Sequence, residues 1–95
     1  MTKPDTSEEH VINLLLGTLD DLELKAPDFT ITSETKIHDV CGPSIAFGWF
    51  IMDLEQYYDI SISKKDSVVF FKTVKSVSEY LTKIINESNH HDKNS

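Results

Sequence analysis

Residues 44–58 constrain this chain more than any other stretch. The run Ser-Ile-Ala-Phe-Gly-Trp-Phe-Ile-Met-Asp-Leu-Glu-Gln-Tyr-Tyr contains no proline and follows Gly42-Pro43. At about 100° per residue it reads as one helix. Phe47, Phe50, Ile51, Leu54 and Tyr58 then share a stripe spaced as a core face requires. Ile45, Gly48, Trp49, Met52 and Gln56 form a second stripe nearly opposite. A domain of 95 residues cannot bury both faces of one helix. Either the long preceding loop covers the outer stripe, or that stripe is a docking surface. Ser44 suits the N-cap, where its hydroxyl can accept from a free first-turn N–H.

Ninety-five residues imply one domain with a modest core. The formal net charge is −7 and arginine is absent. Phosphate backbones and anionic membrane surfaces would repel such a chain, whereas basic partner surfaces would attract it. The acidity is uneven: residues 1–63 hold twelve acids and three lysines, and residues 64–95 hold four acids and six lysines. A single cysteine excludes an internal disulfide framework. The first ten residues have no apolar run of the secretory kind. The most apolar window, Ile45 to Met52, is too short to span a bilayer. A cytoplasmic protein without stable membrane insertion is the expectation.

Periodicity predicts a first helix at about 7–21, capped by Thr6 or Ser7. Its buried stripe is Val11, Leu15, Leu19 and Leu22, widened by Ile12 and Leu16. Residues 22–43 read as a long connection anchored by Ile31, Ile37 and Val40; a loop of that length is often functional. After the helix at 44–58, Ser61 or Ser63 can cap a short helix near 64–71 with Val68, Val69 and Phe71 as its apolar content. Thr73 can cap a last helix at 74–86, with Val74, Val77, Leu81 and Ile84 inward and Tyr80 and Ile85 beside them. Residues 1–6 and 87–95 read as flexible and polar. The expected fold is all-α: a small four-helix bundle of three main helices and one short one, with a long loop between helices 1 and 2.

This ordered set resembles the acyl carrier protein family over about residues 8–85. The matches are Val11, Leu14 and Leu15 in the first helix; Thr35-Lys36-Ile37-His38-Asp39-Val40 approaching the attachment site; and Ser44-Ile45 where the family has Asp-Ser-Leu. They continue with Leu54-Glu55-Gln56-Tyr57-Tyr58-Asp59-Ile60-Ser61-Ile62 at the end of helix 2, and Thr73-Val74 with Tyr80-Leu81 in the last helix. The resemblance implies that a phosphopantetheinyl transferase esterifies Ser44 with 4′-phosphopantetheine from coenzyme A. The arm's thiol then holds acyl groups as thioesters for fatty acid, polyketide or related biosynthesis. The chain itself would be a phosphoprotein of lipid biosynthesis and not an enzyme. Its partners would be acyl-processing enzymes such as a ketosynthase, dehydratase or acyltransferase, and it would be a monomer when free.

On the same resemblance, Ile45, Trp49, Met52, Asp53, Glu55 and Gln56 would dock partners. Phe47, Phe50, Ile51, Leu54, Tyr58 and Ile62 would form the core that parts to shelter an acyl chain. The chain departs from the family at Pro43, where the family has Asp, and at Ala46 and Trp49, positions often acidic on the outer face of helix 2. These departures point to a specialised carrier that docks more by apolar contact, or to a carrier-like interaction module that lacks the arm.

No catalytic or metal site is expected. Ser44 has no His or Asp motif beside it to make it a nucleophile. His90, His91 and Asp92 lie in a polar tail and make no ordered metal site. His38 precedes Ser44 closely enough to touch a phosphate, although a surface position explains it as well. Cys41 has no activating partner and could form a disulfide-linked dimer on storage.

Overall fold

A computed structural model describes residues 5–41 and 44–94, with side chains for 5–41 and 45–87. Its helices are α1 (Glu8–Asp21), α2 (Ile37–Val40), α3 (Ser44–Tyr58), α4 (Lys64–Val69) and α5 (Val74–Asn94). The all-helical bundle expected from periodicity is what the chain forms, with one added turn, α2, inside the long loop. No strand occurs among the described residues, although Lys36 and Thr73 form an isolated antiparallel bridge. Among those residues no helix is long and apolar enough to cross a membrane.

Local chemistry sets the helix limits. Ser7 caps α1, its hydroxyl accepting from the His10 N–H at 3.3 Å, and Glu8 and Glu9 complement the positive helix end. At the other end Glu23 takes a left-handed φ of 58°. The Leu24 N–H returns to the Leu19 carbonyl at 2.8 Å and the Glu23 N–H to Asp20 at 3.0 Å. Asp59 (φ 56°) closes α3 in the same way, with the Ile60 N–H on the Glu55 carbonyl at 3.1 Å. The first is a full Schellman turn and the second shows its 6→1 bond, both made without glycine.

The long loop is far from structureless. The Thr35 carbonyl accepts from the Val74 N–H (3.1 Å) and the Ser33 carbonyl from the Lys75 N–H (2.9 Å). These are two of the four donors that α5 leaves open at its start. A third, the Ser76 N–H, donates to Thr73 Oγ1 at 3.1 Å, while Ser76 Oγ accepts from the Thr73 N–H at 3.0 Å. The loop thus caps the last helix, and Ile37 and Val40 of α2 reach the core as expected.

Helix α1 packs against both α3 and α5. Val11, Leu15 and Leu19 meet Ala46, Phe50, Leu54 and Tyr58 from α3 and Val74, Val77, Tyr80, Leu81 and Ile85 from α5 in one core. Phe71 sits at its aromatic centre, 6.4 Å from Phe50, 6.3 Å from Phe47 and 5.6 Å from Tyr80, each ring edge to face. Two expectations change, the apolar content of α4 and the limit of the last helix, and contacts from residues 5 and 6 add to the fold. Val68 and Val69 point outward, because α4 buries no residue and Phe71, just past its end, does the packing. Asp5 and Thr6 are tied down: Tyr58 Oη donates to the Asp5 carbonyl, Ser78 Oγ donates to the Thr6 carbonyl, and Thr6 Oγ1 meets Thr82 Oγ1 at 2.7 Å. The backbone of α5 continues past residue 86 to Asn94. Residues 1–4 and the side chains of His90, His91 and Asp92 lie outside the described residues.

Candidate functional site: the opening and outer face of α3

Every position of α3 from Ile45 onward has a definite side. Ala46, Phe50, Leu54 and Tyr58 face inward, the first three fully buried. Phe47 and Ile51 flank them, partly buried, and Ile62 is buried just beyond the helix. Ile45 (64 % exposed), Trp49 (44 %) and Met52 (48 %) stand in the open with Gly48 and Gln56. The outer stripe is therefore uncovered, and the long loop does not shield it, because the loop is bonded to the start of α5. Ala46 is a correction: the residue expected on the outer face is in the core, one turn before Phe50. A carboxylate there would have to be buried without a partner.

Helix α3 begins at Ser44. Gly42, Pro43 and the Ser44 side chain lie outside the described residues, and so does the N-cap expected of that hydroxyl. The first turn carries no acidic residue. Its backbone N–H groups and the positive end of the helix dipole thus face no side-chain anion from within the turn. An anionic phosphodiester on Ser44 would meet a favourable field there.

Two neighbours of that end are now placed. His38 is exposed, and its ring stacks on Phe47 at 4.7 Å with 27° between planes, so it covers the flank of α3 one turn from Ser44. Cys41 is fully buried, and burial pushes its thiol up to about 11. Burial and the raised ionisation point make this thiol inert, which argues against the disulfide-linked dimer expected on storage.

The two acids assigned to docking are engaged within the molecule. Asp53 Oδ2 accepts from Thr18 Oγ1 at 2.6 Å, which ties α3 to α1. Glu55 Oε2 accepts from the Ile62 N–H at 2.8 Å, which holds the turn after α3 against its parent helix. Of the three polar residues expected to dock partners, Gln56 alone is exposed, and its side chain has no hydrogen bond among the described residues. Thr18 had drawn no notice, yet the signal was present. It occupies a buried place on the Val11–Leu15–Leu19 stripe, where a hydroxyl needs a partner, and its oxygen lies 3.1 Å from the Leu14 carbonyl one turn back as well as beside Asp53.

Tyr57 also went unremarked. It is 54 % exposed beside Gln56, its ring 4.8 Å from that of His10. His10 Nδ1 lies 3.9 Å from Asp5 Oδ2, and His10 Nε2 is buried without a hydrogen-bond partner among the described residues. Between α1 and α3, beside Tyr57, lies a groove of about 360 Å³. It is lined from α1 by Asn13, Leu14, Gly17, Thr18 and Asp21, and from α3 by Asp53, Gln56 and Tyr57. Among the described residues no group of three or more His, Cys, Asp or Glu side chains is placed to hold a metal ion.

No family model matches the chain, and neither the curated proteins nor the solved structures contain a match to it.

Proposed function

We propose that this chain is an acyl carrier, cytoplasmic and itself without catalytic activity. In this reading Ser44 bears a 4′-phosphopantetheine arm whose terminal thiol holds an acyl group. The observation that carries it is the division of α3. One face is sealed into the core, and the opposite face, starting beside Ser44, leaves Ile45, Trp49 and Met52 uncovered. A carrier needs a tether point and a grip close together, so that an enzyme can hold the domain while the arm enters its active site. A transferase would install the arm from coenzyme A, and acyl-processing enzymes of fatty acid, polyketide or related synthesis would then read the same face. Shelter of an acyl chain would require Phe50, Leu54 and Phe71 to separate, since all three are closed into the core here.

Incubation with coenzyme A and a broad-specificity phosphopantetheinyl transferase tests the proposal by intact mass. One arm should add about 340 Da, and Ser44→Ala should abolish the gain. Pro43, in place of the family's acid before the serine, favours a second reading: a carrier-like interaction module that keeps the face and has lost the arm. Failure of every transferase to modify the chain would select that reading.

A further inference from the structure

We propose that α4 and the residues just after it form a contact surface for an anionic lipid bilayer. Helix α4 buries no residue and is held to the core from its end, by Phe71. Val68, Val69 and Phe70 stand exposed in succession, Phe70 with one face stacked on the Tyr80 ring at 5.1 Å. Cations flank this apolar point on both sides. Lys64 and Lys65 are exposed one helical turn before Val68 and Val69, and so share their faces of α4. Lys72 and Lys75 are exposed just beyond Phe70. Their backbone is fixed by the Ile37 N–H on the Lys72 carbonyl and the Lys75 N–H on the Ser33 carbonyl, each at 2.9 Å. Residues 60–78 hold these four lysines and a single acid, Asp66, whose carboxylate accepts from Tyr80 Oη at 2.9 Å. Among the described residues none of the four lysines has an ion-pair partner. The chain as a whole, at −7, is expected to be repelled by an anionic surface. Locally the sign is reversed: twelve of the sixteen acids lie in residues 1–63. Charges more than about 10 Å away are screened at roughly 0.1 M salt. An apolar point with cations around its base suits a bilayer, which yields to admit the side chains while the lysine stems reach the phosphates. A protein partner would need a hollow of matching shape and acidity. So small an apolar point gives reversible adsorption and no stable insertion.

The contact needs neither Ser44 nor an arm, and so goes beyond the carrier reading. Its test is co-sedimentation of the unmodified full chain with vesicles of equal parts phosphatidylglycerol and phosphatidylcholine, set against vesicles of phosphatidylcholine alone. The chain should partition onto the mixed vesicles, less so as salt is added, and ignore the neutral ones. Amide signals of residues 64–75 should broaden selectively in heteronuclear NMR. Lys64→Gln and Lys65→Gln should each weaken partitioning about fivefold, the loss expected for one lysine near an anionic leaflet. Val68→Ser with Val69→Ser should weaken it about tenfold. Lys25→Gln makes the same charge change at an exposed position in the acidic part of the chain and should leave partitioning within about twofold. All these side chains are exposed, so thermal melts should match that of the parent chain. No binding to the mixed vesicles, equal binding to the neutral ones, or full binding in the α4 variants would overturn the proposal. So would shifts at residues 64–75 with the soluble peptide acetyl-Glu-Leu-Glu-amide and none with vesicles, which would assign the surface to an acidic protein. An unmodifiable Ser44 would leave the vesicle result unaffected, so the two proposals fail separately.

Discussion

Gly48→Ala separates the stability of α3 from its use. Gly48 lies in the interior of a fifteen-residue helix, on the exposed face, with ordinary helical backbone. A Cβ built there meets nothing within 4 Å, so the substitution adds no clash and fills no gap. Only the backbone term remains: glycine in a helix interior is about 1 kcal/mol less favourable than alanine. A gain of about 1 kcal/mol in a domain of this size raises Tm by roughly 4–8 °C. Far-UV circular dichroism melts and urea titrations would read it, with the slope of the urea curve unchanged. Gly17→Ala is a control, since Gly17 has the same open surroundings on α1. An unchanged or lowered Tm in Gly48→Ala, with the expected gain in Gly17→Ala, would refute the reasoning for α3. The same protein then tests the docking face. If a partner's backbone comes close at Gly48, the variant binds its partners more weakly while being the more stable fold.

Asp59→Gly should stabilise the domain by about 1 kcal/mol, because Asp59 holds a left-handed φ of 56° that costs an L-residue about that much and places a carboxylate at the negative end of α3; a urea midpoint no higher than that of the parent chain would contradict it. Trp49→Ala should change stability by less than about 0.5 kcal/mol, yet cost about 2 kcal/mol or more in binding to a docking enzyme, measured by calorimetry. Equal losses in both would mean that Trp49 is a packing residue. Burial holds Cys41 at about 11, and burial first, with nearby charge and the Asp66 hydrogen bond on Tyr80 adding to it, holds Tyr58 and Tyr80 at about 12. Unfolded thiols and phenols ionise near about 8.5 and 10, so between those values and the native ones the native state binds more protons. Their stabilisation is complete below about pH 8 and is lost as pH rises toward about 12. Urea midpoints from neutral to alkaline pH should fall accordingly, the earliest part of the fall vanishing in Cys41→Ala, and a flat profile would contradict the assignment.

The helices were legible because their signals are local. The limits of α3 follow from Gly42-Pro43 before it and the polar Asp59 after it, and Ser7, Ser63 and Thr73 each announce a cap that the structure uses. The outer stripe of α3 was equally plain, since exposed and buried positions of an amphipathic helix repeat by angle alone. What failed was non-local. Whether Val68 or Phe71 fills the core depends on where α4 stops, and a six-residue helix has too few positions for its period to decide that. The loop's order comes from pairing Ser33, Thr35 and Lys36 with residues 72–75, a contact between distant segments that no window along the chain contains. Asp53 and Glu55 looked like free surface charge because their partners, the Thr18 hydroxyl and the Ile62 amide, lie on another helix and across a turn.

Those two commitments change what the face can recognise. A strip bearing free carboxylates would draw basic partners at long range and would lose them in salt. Here the middle of the strip is Ile45, Gly48, Trp49 and Met52, where contact must be made by desolvating apolar surface, and the charge lies at its far end in the groove with Asp21 and Asp53. In the proposed docking, the apolar part would set how long a partner stays, and the carboxylates beside it would set how fast it arrives. Raising ionic strength should therefore slow association modestly while leaving the dissociation rate nearly unchanged. Trp49→Ala should do the reverse. A single helix with one face in the core can divide these tasks because Asp53 and Glu55 each commit one oxygen to a hydrogen bond within their own fold, which fixes where the remaining charge lies.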